Sequence, residues 1–352
     1  MKKILISRRK GETQAAVLKD GEFESYFMER DNEPPKFVDS IFFAQVEKIL
    51  PGMQAAFVDI GREQNAFLQF QNKNLREGEK ILVQIEKDAE HYKAARATLE
   101  ISLPSRKIIL LPTANKIHVS KKISDTEKLR LKNLVKKILP ENCGVIIRTA
   151  AENSTAEELK TEIDELLKLW QEILTVAQNK KKPSQIYGED LIKKILREDF
   201  FDCEIFITDN LKIFRRVEKI TDKVKFYEGE ELFKNFGVDT EIKNLQLKEL
   251  TLPSGGFIVI DKTEALTVVD VNTGSAENIY QTNLEAAALL MKQIRLRNIG
   301  GIVIADFVNM KTDTDKKNLL EYLKTLAQID RGKTFIVDMT PLGLVEITRN
   351  PY

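Results

Sequence analysis

Sulfur and imidazole are scarce in this chain, which holds two cysteines and two histidines in 352 residues. Cys143 and Cys203 stand far apart with no CxxC or CxxH partner, so no zinc site or disulfide framework is expected and both read as buried thiols. His91 and His118 form no cluster, which removes a histidine-based nucleophile relay. No run approaches the ~18 apolar residues that cross a bilayer, so no membrane span is expected. The apolar stretch inside MKKILISRRKGE is too short for a signal peptide, and the cytoplasm is the expected compartment. An excess of charge of either sign is missing too: the net +1 means that a nucleic-acid partner must be met by local patches.

What is present is an ordinary globular composition, 42% hydrophobic and 31% charged, with length for two or more domains. Residues 1–36 read as hairpin strands, ILISRR and TQAAVLKDGEFESYFME, turning at Lys10-Gly11 and Asp20-Gly21 and ended by Pro34-Pro35. Between 37 and 104, SIFFAQVEKIL, QAAFVDIG, NAFLQF and EKILVQIEKD belong to a set of about five short strands, the spacing of a small OB-type barrel. HYKAARATLEISLPSRK then leads off the barrel as a polar stretch carrying Lys93, Arg96 and Arg106. Residues 105–182 form a compact mixed segment with IILLP, KIHVS and CGVIIRTA as strands and two amphipathic helices. Residues 183–248 alternate helix and strand without a chemical motif and read as scaffold.

The organising stretch is 252–310. Two apolar runs, LTVVDVN and GIVIADF, each carry a single aspartate near the carboxyl end, Asp270 and Asp306. An unpartnered carboxylate costs several kcal/mol, on the order of the desolvation penalty, to bury in a strand. Residues i and i+2 of a strand face one side, so Asp270 and Asn272 project together. NLEAAALLMKQIRLRN has helical spacing, with Thr282 or Asn283 as its cap. Strand, helix, Gly300-Gly301, strand is the order of a crossover unit, which makes the two strands parallel and close. Both carboxylates then leave one sheet edge, where oxygen ligands suit magnesium, or manganese in its place. The alternative is that either aspartate caps a helix or pairs with an arginine. Asp338 in KTFIVDM is a third strand-borne acid and a weaker ligand candidate.

Phe57 and Phe67 in the barrel admit two readings, stacking on unpaired bases or filling the core. Arg148 and Thr149 close a buried strand just before a helix start at Ser154-Thr155. That arrangement suits a phosphate pocket or, equally, an arginine that satisfies strand-end carbonyls.

Taken in order, GMQAAFVDIG…NAFL, KAARAT, GVIIRTA, LPSGGFIVIDKTEALTVVDVNTGS, QTNLEAA, RLRNIGGIVIADFVNM and GLVEITR resemble the catalytic core of the RNase E/G endoribonucleases, from about Phe37 to Arg349. The resemblance implies an α+β multidomain fold. An RNase H-like subdomain (1–36 and 183–248) would carry an inserted OB-fold RNA-binding barrel (37–104) and a 5′-sensor region (105–182), followed by a DNase I-like catalytic subdomain (249–352). It implies metal-binding roles for Asp270 and Asp306, with Asn272 positioning the metal and the attacking water. It also implies RNA contacts by Phe57, Phe67 and Lys93, and a hold on a 5′-monophosphate by Arg148 and Thr149, with Lys333 as a further basic residue. On the phenylalanines it favours the stacking reading.

Three departures accompany the resemblance. The family's CPxCxG zinc link and small C-terminal oligomerisation region have no counterpart, so a homo-oligomer would form without a zinc link. Position 309 is Asn in IADFVNM where the family commonly has Asp, and the segment from Asn272 to Gln281 is short. The function implied is magnesium-dependent cleavage of single-stranded RNA in RNA processing or decay, including rRNA processing and mRNA decay, with sensing of a 5′-monophosphate end. The alternatives are a non-catalytic RNA-binding protein that retains the OB barrel, and a metal-dependent phosphatase or DNA nuclease.

Overall fold

The computed structural model describes residues 1–33, 36–70, 74–89, 93–200, 202–330 and 332–350; Pro34-Pro35 and His91 lie outside them. The chain forms two compact units, one made of 1–30 with 202–352 and the other of 31–201. Ser184–Tyr187 pairs antiparallel with Ile41–Leu50, and it and the helix Leu191–Glu198 fall within 31–201.

The first unit contains a five-stranded sheet in the order Val224–Phe226, Cys203–Thr208, Lys2–Arg9, Glu12–Lys19, Glu22–Arg30. The last three strands are an antiparallel meander. Its two turns put Lys10-Gly11 and Asp20-Gly21 at positive φ, the backbone that two-residue hairpins with matching twist require. The other two strands run parallel, which takes the crossover helix Leu211–Val217 between them.

The same unit holds a six-stranded sheet in the order Glu249–Thr251, Phe257–Lys262, Thr267–Asn272, Gly301–Asp306, Leu344–Asn350, Lys333–Met339. Only Thr267–Asn272 and Gly301–Asp306 are parallel neighbours, joined by the helix Ile279–Leu296. Alternation along these strands separates two faces. Val269, Val271, Val303, Ala305, Val345 and Ile347 are buried in one core with Ala286, Leu290 and Ile294 of that helix and Leu319 and Leu323 of the helix Asp313–Ala327. The opposite face is open and carries Val268, Asp270, Ile302, Asp306, Phe335 and Val337, all exposed.

In the second unit, Ile41–Leu50, Ala55–Asp59, Ala66–Gln69, Arg96–Thr98 and Lys80–Lys87 pair in that order, and the last returns to the first. The result is a closed five-stranded barrel with the strand order of an OB fold. Arg96–Thr98 is the strand that closes it, so the KAARAT segment is part of the barrel and not only a path away from it. A smaller sheet, Ile117–Val119, Gly144–Ile147, Ile108–Leu111 and Leu103–Pro104, packs its apolar side on the helices Asp125–Ile138 and Ala156–Gln178. The second helix begins with a capping box between Thr155 and Glu158, which satisfies its first amides. The protein is thus mixed α and β, with a barrel of OB type. Among the described residues no helix is long and apolar enough to cross a membrane.

Candidate active site and nucleic-acid interface

Asp270 and Asp306 are direct ladder partners on the two parallel strands. Neighbouring strands lie about 4.8 Å apart, and partners in register project to one face. The two carboxylates therefore stand side by side near the carboxyl ends of their strands, on the open face. Neither takes part in an ion pair among the described residues. Asp270 accepts one hydrogen bond, from Asn272 Nδ2 at 2.9 Å through Oδ2. That contact comes from the i, i+2 spacing and leaves the amide oxygen of Asn272 directed away from the carboxylate it orients.

Two backbone devices hold the pair in place. Asn283, fully buried, donates from Nδ2 to the Val308 carbonyl at 2.7 Å and accepts the Val308 N–H at 3.0 Å, fixing the chain two residues beyond Asp306. Behind Asn272, a Cβ at Gly256 would lie 2.6 Å from the Asn272 carbonyl oxygen, so only glycine lets the LPSGG turn come this close. Glu285 accepts the Ser254 amide at 2.8 Å and Gln281 Nε2 at 3.1 Å, tying that turn to the helix. Burial pushes the Glu285 carboxyl up, and these donors outweigh it, holding it below the usual range.

The helix starts at Ile279 with Asn278 as its cap, so Thr282 and Asn283 are buried within it and do not cap it. Asp338 lies two strands from the Asp306 strand, about 10 Å at ordinary strand spacing, and its carboxylate accepts the Met339 amide. Glu346, which the sequence did not single out, is one strand over on the open face and pairs with Ile304. No group of three acidic, histidine or cysteine side chains able to share an ion forms among the described residues. Asn309 is exposed in the loop after Asp306.

On the barrel, Phe57 and Phe67 alternate with the core residues Ala56, Val58, Ala66 and Leu68, so their rings leave the core and are half-buried on its outer wall. They are ladder partners with ring centroids 5.8 Å apart in an edge-to-face arrangement. The row continues through Lys48, partner of Phe57, and Arg96, partner of Phe67 and of Lys87. Cations thus flank two aromatics across five strands, a pattern visible only once the register is known. Lys93 is exposed, two residues before Ala95, whose carbonyl accepts the Phe67 amide at 2.7 Å.

Arg148 follows the buried strand Gly144–Ile147, and Thr149 opens a short 3-10 turn before the capped helix. Arg148 Nη1 donates to the Ser105 carbonyl at 2.8 Å and to Glu198 Oε1 at 3.0 Å, and Nη2 donates to Glu198 Oε2 at 2.7 Å. The carbonyl contact is the strand-end role foreseen as an alternative, and the carboxylate is one the sequence gave no sign of. Thr149 Oγ1 lies 2.8 Å from Ser120 Oγ. Lys333 belongs to the other unit, exposed at the start of the edge strand of the six-stranded sheet.

The model of the Ribonuclease E/G family matches residues 102–351. Ribonuclease G of Haemophilus influenzae is 35% identical over 98% of this chain and 79% of its own length. Ribonuclease G of Escherichia coli (strain K12) is 34% identical, again over 98% of this chain and 79% of its own. Ribonuclease E of Nostoc sp. is 31% identical over 89% of this chain and 51% of its own.

Proposed function

The chain belongs to the Ribonuclease E/G family and is an endoribonuclease of that type, and from this premise we propose magnesium-dependent cutting of single-stranded RNA with sensing of a 5′-monophosphate end. The carrying observation is the side-by-side placement of Asp270 and Asp306 on an open sheet face. Two carboxylates without cationic partners among the described residues fit a hard divalent ion that keeps several waters and takes its remaining ligands from phosphate. Asp270 and Asp306 would hold it. When bound, such an ion supplies charge neutralisation at the scissile phosphate and acidifies coordinated water.

The chain's own residues do the rest. Asn272 holds the Asp270 carboxylate in one orientation and offers its amide oxygen to an attacking water. Asn283 keeps the Asp306 end of its strand from drifting. Phe57 and Phe67, flanked by Lys48 and Arg96, grip unpaired bases and phosphates on the barrel wall, with Lys93 on the phosphate path; such stacking tolerates most sequences. Arg148 and Thr149 take the terminal phosphate. The substrates are RNAs in processing or decay, in the cytoplasm.

The finer architecture is part of the same reading. The five-stranded sheet, three antiparallel strands followed by two parallel ones, supports an RNase H-like subdomain. The two-helix-backed six-stranded sheet supports a DNase I-like one, and 105–182 a 5′-sensor region.

The test uses Asp270→Asn and Asp306→Asn with a single-stranded RNA and a DNA of matched sequence. Cleavage should vanish in both variants while RNA binding persists. Equal cutting of the DNA by the wild type would favour a DNA nuclease, and cleavage-free binding by the wild type would favour an RNA-binding protein.

A further inference from the structure

Arg148 is already engaged. Its Nη1 and Nη2 face the two carboxylate oxygens of Glu198 at 3.0 and 2.7 Å, a fork-to-fork pairing that takes the end of the guanidinium best suited to a phosphate. Both side chains are 31% exposed, so the pair sits where a ligand can reach it and where ion pairs are weak enough to exchange. Glu198 has a second partner in Arg197 Nε at 3.2 Å, and Arg197 Nη1 lies 2.9 Å from Glu189. These last two are charge contacts without hydrogen-bond alignment. The four groups alternate in sign and sum to zero.

We propose that Glu198 is a built-in competitor for Arg148 and sets the charge threshold of the 5′-end pocket. This inference rests on the sensor reading given above. A carboxylate carries one negative charge, the same as an internal phosphodiester, so exchanging one for the other gains little. A terminal monophosphate carries about −1.5 to −2 at neutral pH with three acceptor oxygens. It gains more from Arg148 than Glu198 does, and a 5′-hydroxyl offers no charge at all. On exchange Glu198 retains Arg197, and Arg148 retains the Ser105 carbonyl, so neither side chain is stranded. Selectivity for a phosphorylated end then comes from a ligand of the protein's own that only a dianion displaces. Glu198 lies in a segment whose sequence shows no motif, fifty positions from Arg148.

The experiment measures binding of one fluorescent oligoribonucleotide in 5′-monophosphate and 5′-hydroxyl forms by anisotropy, on the full chain with chelator present. Glu198→Gln should bind the monophosphate about three- to fivefold more tightly than wild type, the scale of a partly exposed ion pair, with the hydroxyl form unchanged. Glu198→Asp, too short to reach both nitrogens, should shift the same way by less, and thermal melts of both variants check folding. In the Arg148→Ala background, Glu198→Gln should have no effect. Unchanged or weaker monophosphate binding in the folded Glu198 variants, with a wild type that discriminates the two ends, overturns the competitor and makes Glu198 a positioning residue. A wild type that binds both ends equally removes the sensor itself, a distinct result.

Discussion

Phe57 and Phe67 carry the barrel's claim to RNA. Each base stacked on an aromatic ring is worth about 1–3 kcal/mol, so Phe57→Ala or Phe67→Ala should weaken single-stranded RNA binding about 5- to 150-fold. Anisotropy with a labelled oligonucleotide measures it, and an unchanged Kd in both variants would assign the rings to packing alone. Strand alternation in the sequence leaves their direction open; the register decides it, because Val58 and Leu68 take the core positions next to them. Asp270 and Asn272 were legible, since a spacing of two fixes a shared face whatever the neighbours are. Glu198 was not, because a carboxylate on a charged helix looks the same whether it meets water or an arginine from a distant strand.

At the scale of elements, buried polar contacts hold the segment after Asp306 and the strand Leu344–Asn350. Asn283→Ala would leave the N–H and C=O of Val308 unpaired, at a cost of about 1–3 kcal/mol. Cleavage should fall about tenfold in kcat through the shifted Asp306, while RNA affinity stays within twofold of wild type, about the scatter of such a measurement. A loss confined to affinity would contradict the positioning role. Further along, Arg349 Nε donates to Asp330 Oδ2 at 2.6 Å, with both side chains buried. Burial pushes the Asp330 carboxyl up, and Arg349, Thr334 and the Gly332 amide outweigh it, leaving it below its ordinary value. A depressed folded value stabilises in full above the unfolded value of about 3.9 and is lost as pH falls through the folded one. Asp330→Asn should therefore cost about 3–5 kcal/mol at pH 7, and the gap from wild type should narrow as the pH drops below about 4. Urea midpoints at the two ends of that range decide it; a gap independent of pH would contradict the ion pair's part.

Element boundaries were the less legible layer. The crossover order of the central stretch followed from apolar runs and paired glycines. The helix start did not, because Asn278 caps one turn earlier than Thr282, and the polar Thr282 and Asn283 are buried by contacts the sequence does not reveal. Arg96–Thr98 escaped as a strand since three residues are too few for alternation to register.

At the scale of the whole molecule, one chain carries a row of aromatics and cations on a barrel wall and a pair of acids on an open sheet face. In the proposed reading the acids are the part on which cutting depends. The most direct measurement follows cleavage of a fluorescent single-stranded RNA by wild type and Asp306→Asn, first with chelator and then as magnesium is returned. The wild type should fall silent with chelator and recover with magnesium, and the variant should stay inactive at every concentration. Cleavage that persists in chelator, or an Asp306→Asn protein that cuts at the wild-type rate, would contradict the account.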